Sequence, residues 1–150
     1  MRYQSNPDNC GPAVILNALR CYGKRVSERS IAKLAGTTSE DGTDEDGIQE
    51  ALAQLSYSCE GLSVQNRAEA WDWLQRQLGL GRPVIVNTWG GQHWACVVGG
   101  VAGRVILVDS SNTKSNKKEN GIHIYGKVEF LKKWRNTKDA GVYFGLAVHK

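Results

Sequence analysis

The feature that most constrains the fold is a change in sequence character after Gly81. Upstream of it, apolar residues recur at helical spacing in four segments that capping residues or glycines bound, namely 10–22, 27–36, 43–55 and 67–79. Downstream, short β-branched runs alternate with glycines, at 82–89, 93–100, 104–111, 122–125 and 142–148. A strand-like segment at 57–64 and a short helix near 128–134 complete the pattern. N-terminal helices packed on an antiparallel sheet, an α+β fold, are therefore predicted.

Length and composition indicate one domain spanning residues 1–150. The chain has 150 residues, of which 41% are hydrophobic and 23% charged, as is ordinary for a globular protein. It contains no run of about 18 apolar residues, and its start, MRYQSNPDN, lacks the apolar stretch of a signal peptide. We therefore expect no membrane segment and a cytoplasmic location.

The cysteines and acidic residues do not form a recognisable metal site. The four cysteines, at positions 10, 21, 59 and 96, are too sparse for a disulfide scaffold and are expected to be reduced thiols. No Cys-x-x-Cys motif or Cys/His pair has zinc-ligand spacing, and SEDGTDEDG at 39–47 lacks the register of a calcium loop. We expect no metal and no cofactor.

Positive charge is concentrated in the last third of the chain. Residues 1–100 carry 9 basic and 11 acidic side chains, whereas residues 101–150 carry 10 and 4. Such a patch could attract nucleic acid. No recognition motif accompanies it, so a solvated face is the preferred interpretation, and nucleic acid is not an expected partner.

The stretch QSNPDNCGPAVILNAL at 4–19 places Cys10 at the predicted start of the first helix. Unpaired amides and the positive end of the helix dipole favour a thiolate there. Gly11 leaves the sulfur unobstructed, and Pro12 suits a first helical turn. The Cys10 amide and the Gln4 side chain could face a developing oxyanion. A structural thiol remains the alternative for a cysteine considered alone.

A second segment, GGQHWACVVGGVAGRVILVDSS at 90–111, supplies partners for such a thiol. His93 begins one predicted strand and Asp109 follows the next, with a turn near Ala102 and Gly103 between the strands. A hairpin returns residues that are roughly equidistant from its turn to the same edge, which suits a base and the carboxylate that orients it. A strand-end histidine and a turn aspartate without a catalytic role are the alternative. His123 and His149 have no comparable partner.

Trp89 and Trp94 flank His93 and could form a wall of a substrate cleft, because aromatic rings bind extended peptides with little loss of entropy. Plain packing explains them equally well. We consider both as candidate substrate-binding residues.

Together, Gln4, DNCGPA at 8–13, DGTDEDGIQEAL at 41–52, GGQHWACVVGG at 90–100 and VILVDSS at 105–111 resemble the double-glycine, bacteriocin-processing peptidases of the papain-like cysteine peptidase superfamily. The resemblance implies a papain-like fold, with Cys10 as nucleophile, His93 as general base, Asp109 as its orienting residue and Gln4 as oxyanion donor. One departure is Ser110, where that family usually has proline.

The best-known members of that family are fused to a membrane exporter, whereas this chain contains no predicted spanning segment. We therefore expect a free-standing cysteine peptidase that hydrolyses a peptide or isopeptide bond in a peptide or protein substrate, without assuming cleavage after Gly-Gly. An amidase or acyltransferase using the same site, and a non-catalytic peptide-binding module, are the alternatives. The sequence does not indicate the oligomeric state.

Overall fold

The order of helices and strands follows the predicted change in character. The structure is a computed structural model that describes residues 3–4, 10–38, 42–88, 93–111, 113–136 and 141–150. Its helices are α1 (Cys10–Arg20), α2 (Glu28–Ala35), α3 (Glu45–Gln54), α4 (Arg67–Gly79), α5 (Lys114–Lys118) and α6 (Lys127–Trp134). Its strands are β1 (Ser58–Val64), β2 (Val84–Thr88), β3 (His93–Val101), β4 (Arg104–Val108), β5 (Ile122–Gly126) and β6 (Tyr143–His149).

These strands form one six-stranded sheet in the order β1-β6-β2-β3-β4-β5. Every neighbouring pair is antiparallel. The predicted hairpin is the β3–β4 pair, whose turn residues Ala102 and Gly103 have φ angles of 49° and 77°. Two-residue hairpin turns of this kind require positive φ at both positions. The hairpin therefore returns the strand end after Val108 to the start of β3.

Helices cover both faces of the sheet. On one face, α1, α2 and α3 pack on a cluster that includes Ile85, Cys96 and Leu146. On the other face, α4 and α6 pack on Val84 and Val86 with their neighbours. Alternate residues of β2 thus enter different apolar clusters, as the twofold period of a strand requires. None of the helices in the described ranges is long and apolar enough to cross a membrane.

The polar segment 112–121, which has the composition of a loop, contains the short helix α5. Thr113 caps this helix by accepting a hydrogen bond from the Asn116 amide. Asn116 is only 5% exposed. The lysines of this segment therefore belong to a short helix with a buried asparagine, rather than to an irregular loop.

Close packing joins the start of α1 to the residue that precedes the cap of α3. A Cβ atom added to Gly11 would lie 2.4 Å from Cβ of Thr43. The carbonyl oxygen of Thr43 also accepts a 2.9 Å hydrogen bond from Nε1 of Trp94, on β3. Glycine at position 11 thus allows α1 to approach Thr43 closely. This packing role differs from its expected role of exposing the neighbouring sulfur. Thr43 connects the first turn of α1 to the start of β3.

We predict that Gly11→Ala lowers the free energy of unfolding by roughly 1–3 kcal/mol, because Thr43 must move away from the new methyl group. Gly79→Ala is the matched control, since an added Cβ at Gly79 meets no atom within 4 Å. Alanine is also the better helix former by about 1 kcal/mol, so the control should be no less stable than the parent. Urea unfolding followed by tryptophan fluorescence measures both variants, and equal stability of the two would contradict the packing argument.

Candidate active site

Cys10 is the first residue of a helix that is held rigidly in the interior. Every residue from Gly11 to Leu19 is buried, whereas Cys10 itself is only partly buried. Its sulfur therefore lies at the amino-terminal end of the α1 dipole and keeps some access to solvent. Such a position suits a thiol that must both ionise and meet a substrate.

The His93 side chain is hydrogen-bonded to both Cys10 and Asp109. Nε2 of His93 lies 2.8 Å from Oδ1 of Asp109, and the side chains are 12% and 4% exposed. His93 begins β3, and Asp109 directly follows β4, which pairs with β3. The hairpin thus brings three of the sequence-predicted residues into one linked series of hydrogen bonds.

The surroundings of Cys10 favour the thiolate. Burial alone would raise the pKa of Cys10, but the hydrogen bond and positive charge of His93, with main-chain hydrogen bonds from Trp94 and Gly11, lower it below its ordinary value. The other cysteines differ, because burial raises the pKa of Cys21, of Cys59 to about 11, and of Cys96 well above the usual range. Of the four thiols, Cys10 is the one whose pKa is lowered by its surroundings.

The partners of Cys10 are held in the complementary charge states. Burial would lower the pKa of His93, but its hydrogen bonds to Asp109 and Cys10, and the negative charge on both, raise the pKa to about 9. Burial would raise the pKa of Asp109, whereas His93 and Ser111 lower it. The site therefore favours an imidazolium between a carboxylate and a thiol whose ionisation is promoted.

Gln4 is held beside Asp109 by two hydrogen bonds to Ser110. The main-chain N–H of Gln4 donates to the Ser110 carbonyl at 2.9 Å. The Ser110 hydroxyl donates to Oε1 of Gln4 at 3.0 Å. Gln4 is 6% exposed and Ser110 is 1% exposed. The fourth predicted site residue is therefore docked on the residue that follows Asp109, at the same end of the β3–β4 hairpin.

The structure adds residues that the motif analysis did not select. The Ser111 amide donates to Oδ1 of Asp109 at 2.8 Å, and the Ser111 hydroxyl lies 3.4 Å from Nε2 of His93. Nδ2 of the buried Asn116 donates to the carbonyl oxygens of Asp109 and Ser111 at 3.0 and 2.6 Å. Oδ1 of Asn116 lies 2.7 Å from Nε2 of His123, which thereby contributes to the support of Asp109. The sequence signal that could have identified this helix is the position of Thr113, a typical N-cap residue, three residues before Asn116.

A cleft of about 400 Å³ borders Trp94. Its lining residues are Thr43, Asp44, Glu45, Ser63, Asn87, Trp94, Asn136, Val142 and Phe144. Trp94 is 7% exposed and packs edge to face on Phe144, so most of its ring is part of the hydrophobic core. Trp89, the other aromatic candidate, lies outside the described residues. Within the described ranges, no group of three or more His, Cys, Asp or Glu side chains could hold a metal ion.

Comparison with known proteins identifies the family to which this arrangement belongs. The Peptidase C39 like family matches residues 1–142. The chain belongs to this family. It is accordingly a cysteine peptidase, and the resemblance to double-glycine peptidases is confirmed. No curated protein matches the sequence.

Solved structures of related peptidases have the same fold. The peptidase domain of Streptococcus ComA, a bi-functional ABC transporter involved in a quorum-sensing pathway, has 25% identity and a TM-score of 0.70, over 97% of this chain and 96% of that one. A double glycine motif protease from an AMS/PCAT transporter, solved with its leader peptide, has 15% identity and a TM-score of 0.67, over 97% and 88%. A putative C39-like peptidase from Bacillus anthracis has 12% identity and a TM-score of 0.65, over 100% and 94%. The predicted papain-like α+β fold is confirmed.

We predict that Cys10 of this peptidase reacts with iodoacetamide at lower pH than the other three thiols. The alkylation rate should rise with a midpoint below the ordinary thiol pKa of about 8.5, because His93 and the main chain stabilise the thiolate. His93→Ala should move that midpoint upward, since the positive charge and hydrogen bond are lost. Mass spectrometry of peptides labelled between pH 5 and 10 gives the rate at each cysteine. Faster labelling of the exposed Cys21, or an unchanged midpoint in His93→Ala, would contradict the assignment.

Proposed function

We propose that this cysteine peptidase hydrolyses a peptide or isopeptide bond through a thioester on Cys10, with His93 as general acid and base. The observation that carries the proposal is the linked series of hydrogen bonds from Cys10 through His93 to Asp109. The lowered pKa of Cys10 and the raised pKa of His93 are consistent with an ion pair poised for attack. Asp109 accepts the hydrogen bond from Nε2 of His93 and keeps the ring oriented.

Acylation begins when the Cys10 thiolate attacks the substrate carbonyl carbon and forms a carbon–sulfur bond. The carbonyl electron pair moves to oxygen, and the main-chain amide of Cys10 and the side-chain amide of Gln4 donate hydrogen bonds to this oxyanion. The carbon–nitrogen bond then breaks, and the His93 imidazolium gives its proton to the leaving amine. The acyl group remains on sulfur as a thioester.

Deacylation uses the neutral imidazole left by the first step. His93 removes a proton from a water molecule, which attacks the thioester carbonyl to give a second oxyanion at the same donors. Collapse breaks the carbon–sulfur bond, releases the acid and leaves the thiolate next to the imidazolium again. Gln4 and Asp109 thus act in both halves of the reaction without changing protonation state.

The substrate most consistent with this site is an extended peptide. Trp94, which lines the cleft, follows His93 in the chain, and the cleft has both aromatic and carboxylate walls. We therefore propose Trp94 as a wall of the substrate site, whereas Trp89 stays a prediction from its position next to this segment. The structural relative named a double glycine motif protease was solved with a leader peptide. A peptide ending in Gly-Gly at the scissile bond is accordingly the first probe to use.

Three substitutions test the assigned roles with an acylated Gly-Gly-aminomethylcoumarin amide as substrate. Cys10→Ala should abolish release of the coumarin while the fold is kept. Cys21→Ala, at the exposed cysteine directly after α1, is the matched control and should keep full activity. His93→Ala should lower turnover by roughly 100-fold to 10,000-fold, since a general acid and base is lost. Asp109→Asn should lose less, because an amide oxygen can still accept the imidazole hydrogen bond.

Product analysis separates the proposal from its alternatives. A hydrolysed acid as the product, with an acyl adduct on Cys10 after acid quenching, supports the peptidase. Transfer of the acyl group to an added amine in preference to water would instead identify an acyltransferase. Binding of the peptide with no adduct and no product across a panel of peptide and isopeptide probes would indicate a binding module. Full activity in Cys10→Ala would rule out the covalent mechanism.

A further inference from the structure

We propose that Asn116 and His123 are positioning residues that hold the Asp109 carboxylate in the orientation that His93 requires. The inference rests on the proposed function, in which Asp109 orients the His93 ring throughout the reaction. A carboxylate can orient a ring only if its own side chain is fixed by other groups. In this chain those groups are a turn of the main chain and the side chains that hold the turn.

The Asp109 side chain is fixed first by a turn of its own main chain. Oδ1 of Asp109 accepts a 2.8 Å hydrogen bond from the main-chain N–H of Ser111, two residues further on. The same oxygen lies 2.8 Å from Nε2 of His93. A turn of this kind, an Asx turn, depends on the main-chain conformation of the residues that it spans. The direction of Oδ1 toward His93 is therefore determined by the shape of the segment 109–111.

Asn116 holds both ends of that turn. Its Nδ2 group donates to the carbonyl oxygen of Asp109 at 3.0 Å and to that of Ser111 at 2.6 Å. A side-chain amide nitrogen carries two hydrogens, so these two bonds use both of them. Asn116 is 5% exposed, and water therefore cannot readily replace either bond. Loss of this one side chain would release the turn at both ends.

His123 determines which end of the Asn116 amide faces the turn. Nε2 of His123 lies 2.7 Å from Oδ1 of Asn116 and, when it carries the proton, donates to this oxygen. The two ends of an amide are nearly identical in shape, and an inverted amide would point its oxygen at two carbonyl oxygens. The His123 ring also stacks on Tyr125, with 4° between the ring planes. Strand β5 thus fixes the amide that fixes the turn.

The role predicts that Asn116→Ala loses turnover and keeps its KM. We expect kcat for the Gly-Gly-aminomethylcoumarin amide to fall roughly 10-fold to 100-fold, the size expected for two lost buried hydrogen bonds. KM should change little, because Asn116 is not among the described residues that line the cleft beside Trp94. The titration midpoint of His93, followed by ¹⁵N nuclear magnetic resonance, should fall from about 9, since the carboxylate is no longer held against the ring.

Asn66→Ala is the matched control, because it removes an asparagine side chain with a purely local role. Oδ1 of Asn66 accepts a 2.9 Å hydrogen bond from the Glu69 amide and caps α4. Its loss should make the protein easier to unfold in urea while kcat and the His93 midpoint stay unchanged. A similar fall of the midpoint in both variants would attribute the effect to general destabilisation and would overturn the inference.

A double-mutant cycle tests whether Asn116 acts through Asp109. In the Asp109→Ala background, Asn116→Ala should change neither kcat nor the His93 midpoint further, since no carboxylate remains to be positioned. His123→Ala should lower both quantities, with a loss of roughly 2-fold to 10-fold in kcat for one hydrogen bond. His123→Gln should keep most of the turnover, because its amide N–H lies as many bonds from Cβ as Nε2 does. These His123 variants carry the test if Asn116→Ala does not fold.

The outcomes distinguish this inference from the proposed function. An unchanged His93 midpoint in Asn116→Ala, or an equal loss of kcat with and without Asp109, would overturn the inference. The midpoint is measured without substrate, so it tests the positioning role even if the coumarin amide is not cleaved. In each of these cases an inactive Cys10→Ala variant still supports the covalent mechanism, whereas an active one removes the mechanism itself.

Discussion

The partly buried hydrogen bond between Nε2 of His93 and Oδ1 of Asp109 is the interaction on which the proposed site depends. A carboxylate that is 4% exposed costs free energy unless it is paired, and His93 with the Ser111 amide provides the pairing. Because the pKa of His93 is raised to about 9, its charged form stabilises the folded state below the ordinary histidine pKa of about 6.5. That contribution is lost as pH rises through about 9.

Support for this pair comes from elements that are distant in the sequence. Asn116 of α5 holds the main chain on both sides of Ser110, and His123 of β5 holds Asn116. Thr43 packs on Gly11 and accepts the indole hydrogen bond of Trp94. Thr43, which has no role in the proposed catalytic steps, therefore holds the start of α1 against the start of β3. The proposed reactive groups thus occupy positions that are fixed by packing and hydrogen bonds from several elements, as efficient catalysis requires.

Much of this arrangement could be predicted from local sequence. Apolar periodicity and capping residues located the helices, for example Ser27 and Gly36 at the ends of α2. The hairpin around the Ala102–Gly103 turn correctly placed both His93 and Asp109 at the same end of the β3–β4 pair, although His93 lies nine residues before Ala102 and Asp109 only six after Gly103. Such signals are local, because caps and two-residue turns depend on a few adjacent residues.

Contacts across the fold could not be predicted in the same way. The docking of Gln4 on Ser110, which are 106 positions apart, depends on where the chain start meets the end of β4. Asn116 resembles any polar residue of a lysine-rich loop, and its role emerges only when its two carbonyl partners are known. The sequence predicts that Gly11 exposes the thiol, whereas its close contact with Thr43, just before the cap of α3, is visible only in the fold. Each of these features arises from tertiary packing, which has no periodic signature in the sequence.

We infer that His93 is a largely buried imidazolium beside Cys10 and Asp109 at neutral pH. The most direct measurement is a titration of the His93 ring nitrogens by ¹⁵N nuclear magnetic resonance between pH 5 and 10, with the signal assigned through a His93→Gln variant. We expect a titration midpoint near 9, well above the ordinary histidine pKa of about 6.5. In the Asp109→Ala variant the midpoint should fall, because the charge and hydrogen bond that raise it are removed. A midpoint at or below about 6.5 in the parent protein would contradict the account.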